Sequence, residues 1–135
     1  MKIQGMYGMQ LSEREGLELW RRAVTASVRS DAPDLTARQQ AILMTIALMP
    51  GPHTVRGLAE QLNIAKPAVT RALDALERLD FIKRVRDEAD LRNIFLERRP
   101  AGMTYLRQFA GLVLAAASGK NQEAASPKVR KASAA

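Results

Sequence analysis

Cysteine is absent from the 135 residues, which excludes disulfides, thiolate metal sites and thiol-based redox sensing. Histidine occurs once, as His53 between Pro52 and Thr54, too little to assemble a zinc site. Aromatic residues make up only 4% of the chain, so the core must be filled mainly by aliphatic side chains and alanine, as suits helices in close contact. Long hydrophobic runs are missing as well. The most apolar stretch, Phe109 to Ala117, has roughly half the length a bilayer-spanning helix needs. Met1 to Leu11 carries a single lysine and no sustained apolar run, so it does not read as a secretory signal. No Ser/His/Asp or Cys/His set is available, and the carboxylates lie on helix surfaces or in a charged loop without a pocket signature. These absences point to a soluble cytoplasmic protein that is not an enzyme, needs no cofactor and has no membrane partner.

What is present in excess is positive charge. The formal net charge is +7, which favours polyanionic partners such as nucleic acid. Four cations against one glutamate leave the stretch Gly119 to Ala135 at +3 and the remainder of the chain at +4. The Ala/Ser/Lys composition of this stretch reads as a solvated, disordered tail. A chain of this length otherwise fits one domain able to bury its own core.

Helix signals recur along the chain. Ser12 and Glu15 have capping-box spacing, and Leu17, Trp20, Val24 and Val28 follow at helical intervals, predicting a helix over about Ser12 to Ser30. Asp31-Ala-Pro-Asp stops it. Thr36 with Gln39 opens a second helix that buries Ile42, Leu43, Ile46 and Ala47 and ends at Pro50-Gly-Pro. Thr54 caps a short third helix with Val55, Leu58, Ala59 and Leu62 on one stripe, and Asn63 tolerates the left-handed turn at its end. A fourth helix starts near Lys66 with Pro67 in its first turn. Its apolar face is Val69, Ala72, Leu73, Leu76 and Leu79, which leaves Ala68, Thr70, Arg71 and Asp74 facing outward. Phe81 to Arg86 and Asn93 to Glu97 then read as two strands joined by the charged loop Asp87 to Arg92. Pro100 introduces a last helix with a seam of Met103, Leu106, Ala110, Val113 and Ala117.

A short helix, a tight turn, a longer helix and a charged hairpin make a winged helix-turn-helix, mainly α with a small β-hairpin. A helix of this kind fits the major groove of duplex DNA and reaches base edges from its first turns. Lys66, Pro67, Ala68, Thr70 and Arg71 are the candidate groove-facing residues, with Lys66 seeking phosphate, Thr70 offering a hydroxyl and Arg71 able to grip guanine in two places. Arg84, Arg86 and Arg92 are the candidate DNA-binding cations of the hairpin, although charged strand residues can equally form a solvated sheet edge. A tip arginine such as Arg92 suits the narrow minor groove, with Asp87, Glu88 and Asp90 orienting it by ion pairing. Arg71 could instead pair with Asp74 three residues on.

The sequence resembles the MarR (multiple antibiotic resistance regulator) family at Leu35-Thr-Ala-Arg-Gln-Gln, at Leu58-Ala with Leu62, at Val69-Thr-Arg-Ala-Leu-Asp-Ala-Leu-Glu, and at Arg86-Asp-Glu-Ala-Asp-Leu-Arg. It departs from the family at Asp80-Phe81, where glycine usually precedes the apolar residue, and at Glu97-Arg-Arg-Pro-Ala-Gly, which replaces a Leu-Thr lead. The resemblance implies a homodimer held by the N- and C-terminal helices, repressing transcription by occupying a pseudo-palindromic operator. It divides the chain into a dimerisation helix at 1–34, the winged helix-turn-helix at 35–99, a second dimerisation helix at 100–118 and the tail at 119–135. Some relatives bind a small aromatic effector, for which Trp20 and Tyr105, together with Tyr7 and Met9, are the candidates here; packing is the commoner use of such residues. The alternative to a DNA-binding regulator is a winged-helix module whose basic face meets an acidic protein.

Overall fold

The computed structural model describes residues 2–4 and 10–119, which fall into two units: residues 35–106, and the described residues that flank them on either side. The tail beyond Gly119, Tyr7 and Met9 lie outside the described residues.

In the flanking unit, strand β1 (Lys2–Gln4) pairs antiparallel with β2 (Gln10–Ser12), setting Ile3 opposite Leu11. Helix α1 (Glu13–Arg29) follows at once, because Ser12 ends the strand and caps the helix. The Ser12 hydroxyl accepts from the Glu15 amide at 3.1 Å while the Glu15 carboxylate accepts from the Ser12 amide at 3.0 Å, so two otherwise orphaned amides are satisfied reciprocally. At the other end the Ser30 hydroxyl and amide both donate to the Ser27 carbonyl, which stops the helix. Only Ala23 and Ser27 of α1 are buried, whereas the large apolar side chains Leu17 and Val28 are 74% and 50% exposed. Trp20 touches Phe109 edge-on, with ring centroids 5.7 Å apart.

The second unit begins with α2 (Ala37–Leu48), opened by the Thr36/Gln39 capping box and burying the four positions its sequence predicts, Ile42, Leu43, Ile46 and Ala47. Two residues, His53–Thr54, form β3, and Thr54 then caps α3 (Val55–Leu62) by accepting from the Gly57 amide at 3.0 Å. Asn63 sits in the left-handed region at φ 53°, a conformation its short polar side chain tolerates, and turns the chain into α4 (Lys66–Arg78). Strands β4 (Ile82–Arg86) and β5 (Ile94–Arg98) form the hairpin, and β3 adds to the far side of β5 to give the order β3-β5-β4, all antiparallel. This third strand is not signalled by the sequence pattern. Leu43, Leu58, Val69, Leu73, Leu76 and Ile82 are fully buried and fix α4 against α2, α3 and the sheet. Each contributes about 1.5–3 kcal/mol by burial.

The joint between α4, β4 and α5 (Pro100–Ala117) accounts for both departures from the family pattern. Asp80 has φ 60°, a conformation glycine adopts without strain, and its carboxylate accepts from the Arg99 guanidinium at 3.2 Å. The Arg99 amide donates to the Phe81 carbonyl at 3.0 Å, and the Phe81 ring lies on Tyr105 with centroids 5.1 Å apart. Gly102 packs directly over that carbonyl, where a Cβ would clash with Phe81 backbone atoms. The Arg98 guanidinium, next in the same run, donates to the Ala47 carbonyl at the end of α2 at 2.9 Å. The Arg-Arg-Pro-Ala-Gly segment therefore ties α5 to the base of the hairpin by polar bonds and close backbone approach.

Candidate nucleic-acid interface

The buried stripe of α4 decides which side chains it can present. Ala68, Val69, Ala72, Leu73 and Leu76 are buried, while Lys66, Pro67, Thr70, Arg71, Asp74 and Glu77 are exposed. Ala68 therefore faces inward and is corrected from the sequence expectation. It lies one turn before Ala72 on the edge of the apolar stripe, and its small side chain fits where two helices approach closely. The helix has no side-chain N-cap at Ala65, yet few donors are orphaned: Pro67 has no amide hydrogen, and the amides of Ala68 and Val69 both donate to the Ala65 carbonyl.

Thr70 and Arg71 project from the second turn. Among the described residues Arg71 forms no ion pair, and Asp74, the partner available to it at i+3, pairs with Arg84 instead. Lys66 at the helix start forms none either, so both cations stand in solvent without a carboxylate partner.

The hairpin supplies further cations in two different states. Lys83 and Arg86 are exposed and without ion pairs among the described residues. Arg84 is only 24% exposed, and its Nη2 reaches Asp74 Oδ1 at 2.5 Å and Glu77 Oε1 at 3.1 Å, while its amide donates to Glu77 Oε2 at 3.1 Å. These bonds hold the Glu77 carboxyl below its ordinary value, through the side chain of Arg84 first and its backbone second, and raise the Arg84 guanidinium, chiefly through Asp74. Arg84, expected among the DNA-facing cations, thus commits its Nη2 and its backbone amide to partners within the protein.

At the tip, the Asp87 amide bonds the Asn93 carbonyl at 3.1 Å and closes the loop. Arg92 is 85% exposed, and its Nε donates to Asp90 Oδ1 at 3.1 Å with its own amide on the same oxygen, so of the three acids at the tip Asp90 is the one that pairs with the guanidinium, while Asp87 accepts from the Ala89 amide. The Asp90 carboxyl is held below its ordinary value, first by the Arg92 side chain and then by its backbone, with Arg56 adding a smaller attraction. Arg56, exposed in the first turn of α3, is a cation that the sequence reading passed over; its place just after the Thr54 cap was the available signal.

The two effector candidates fall in different units. Tyr105 is 5% exposed and packed on Phe81, a core position, and Trp20 meets Phe109. A cleft of about 780 Å³ opens elsewhere, behind the hairpin, lined by Leu48, Met49, His53, Lys83 and Arg98 among others. No described group of three or more His, Cys, Asp or Glu could hold a metal, and no described helix is long and apolar enough to cross a membrane.

Residues 35–94 match the model of the MarR family. The chain is similar to a mutant of S. aureus MepR bound to an oligodeoxyribonucleotide, with 20% identity over 82% of this chain and 79% of that one and a TM-score of 0.67. It is similar also to Streptococcus pneumoniae FabT in complex with DNA, at 22% identity over 82% and 76% with a TM-score of 0.62. The transcriptional regulator Tm0710 from Thermotoga maritima aligns at 26% identity over 75% and 66%, with a TM-score of 0.59. No curated protein matches the chain by sequence.

Proposed function

We propose that the chain, whose residues 35–94 match the MarR family model, is a DNA-binding transcriptional regulator that occupies a pseudo-palindromic operator as a homodimer and acts as a repressor. The observation that carries the reading is Arg71. It stands beside Thr70 on a helix backed by fully buried Val69 and Leu73, exposed and, among the described residues, unpaired by any carboxylate. A guanidinium so placed can enter the major groove and grip guanine in two places. Lys66 at the helix start takes phosphate, and Arg86 and Arg92 on the hairpin reach the flanking backbone and minor groove. The DNA-bound relatives named above support the same docking. Leu17, Trp20 and Val28, the exposed large apolar residues of α1, supply the face through which two copies associate. Two recognition helices are then spaced one helical turn apart, about 34 Å, or a multiple of it.

Selection of bound fragments from genomic DNA tests the reading directly, and an enriched inverted repeat is the expected result. On the selected duplex, Arg71→Ala lowers affinity about 5- to 150-fold and relaxes preference at one base position, whereas Arg92→Ala weakens binding to all sequences more evenly. Affinity falls steeply with salt. Absence of binding to any duplex at low salt would falsify the proposal.

A further inference from the structure

Two carboxylates stand on the exposed face of the helix assigned to the groove. Asp74 lies one turn after Thr70 and Arg71, and Glu77 lies one turn after Asp74. Bare, each would bring negative charge toward a phosphate-lined groove, at distances well inside the screening length of physiological salt. The structure leaves neither bare. A single guanidinium from the neighbouring strand lies between them, bonded to both, and the backbone amide of the same residue takes the remaining oxygen of Glu77. Both bonds come from Nη2, whose two hydrogens can each serve one carboxylate.

We infer that Arg84 serves DNA binding as a charge mask: it neutralises Asp74 and Glu77 on the recognition helix and does not itself touch DNA. The inference rests on the DNA-binding reading above. It makes Arg84 a positioning residue, acting on the ligand only through the two acids, and separates it from Arg86 and Lys83, which form no ion pair among the described residues. The partial burial of Arg84 and the engagement of its Nη2 by both carboxylates favour this role over a phosphate contact made through that nitrogen.

The test compares four proteins on the selected duplex, by fluorescence anisotropy across a salt series: wild type, Arg84→Ala, Asp74→Asn/Glu77→Gln, and the triple variant. Arg84→Ala unmasks two charges and weakens binding about 10- to 100-fold. The double variant binds at least as tightly as wild type. In the triple variant Arg84 is dispensable, so affinity stays within roughly threefold of the double variant and the slope of log affinity against log salt stays at the wild-type value, since no phosphate contact is lost. A triple variant as weak as Arg84→Ala, with a slope shallower by about one, would show a direct phosphate contact and overturn the mask. Should Arg84→Ala fold poorly, as thermal melting would reveal, the double and triple variants carry the comparison alone. Failure of wild type itself to bind any duplex refutes the DNA-binding reading and is seen before any variant is compared.

Discussion

Helices α1 and α4 are built on the same apolar periodicity and meet opposite fates. In α4 the stripe is covered: Val69, Leu73 and Leu76 are fully buried by neighbouring elements of their own unit. In α1 the stripe stays open, with Leu17, Trp20 and Val28 exposed and only the small Ala23 and Ser27 buried. A covered stripe fixes a helix so that its other face can be aimed. An open one is half of a contact, and large apolar groups cluster on it at a cost unless a second surface meets them. The difference separates a helix that is positioned from one whose open face the proposed dimer would cover.

The largest expected effect comes from breaking the open stripe. Leu17→Lys removes about 1.5–3 kcal/mol of burial from each copy in a symmetric dimer, and therefore weakens self-association roughly 10²- to 10⁴-fold, which sedimentation equilibrium measures. An unchanged association state would mean that α1 is not the dimer surface. The covered side is tested next, with two glycines of one helix. Gly102→Ala drives a methyl group into the Phe81 backbone and costs about 1–3 kcal/mol, lowering the thermal midpoint by several degrees. Gly111→Ala meets nothing within 4 Å and stabilises by up to about 1 kcal/mol. A loss at Gly111 would instead mark where a partner helix comes close.

Smaller effects probe the joint and the brace. Asp80→Gly relieves a left-handed residue of about 1 kcal/mol of strain and gives up only an exposed ion pair with Arg99, so thermal unfolding shows a small net gain. The smallest effect is in pH. Glu77 is held below its ordinary value of 4.5 in the folded protein, so its stabilisation is fully present above that value and is lost as pH falls through the folded one. With the side chain 42% exposed, the loss is about 0.5 kcal/mol or less. Denaturant titrations at pH 3 to 6 should show it, and Glu77→Gln should flatten that part of the profile.

Most of the helical frame was legible in the sequence because its signals are local. The pairs Ser12/Glu15 and Thr36/Gln39, the Thr54 cap, Asn63 and Pro67 each act within three or four positions, and each does in the structure what its chemistry predicts. What escaped depends on long-range geometry. Strand β3 is two residues long and is defined only by pairing with β5, some forty positions later. The β1–β2 pair carries no periodic signal. The partners of Arg84 lie 7 and 10 residues away across a helix-to-strand turn, so its cationic character was readable and its engagement was not. Ala68 shows the limit of a stripe read from large residues, since a small side chain at the stripe's edge follows the packing around it.

The hairpin also distributes freedom unevenly along the chain. From Ile94 to Arg98 every residue is held in register on one side or both, with Leu96 turned into the core, so inserting or deleting one residue there would invert the strand's two faces. Between Asp87 and Asn93, where two amide-to-carbonyl bonds stay within the loop itself, length can change without disturbing that register. Lineages descending from this sequence can therefore lengthen, shorten or recharge the hairpin's end and so drift toward new targets, while the frame that presents it stays the same.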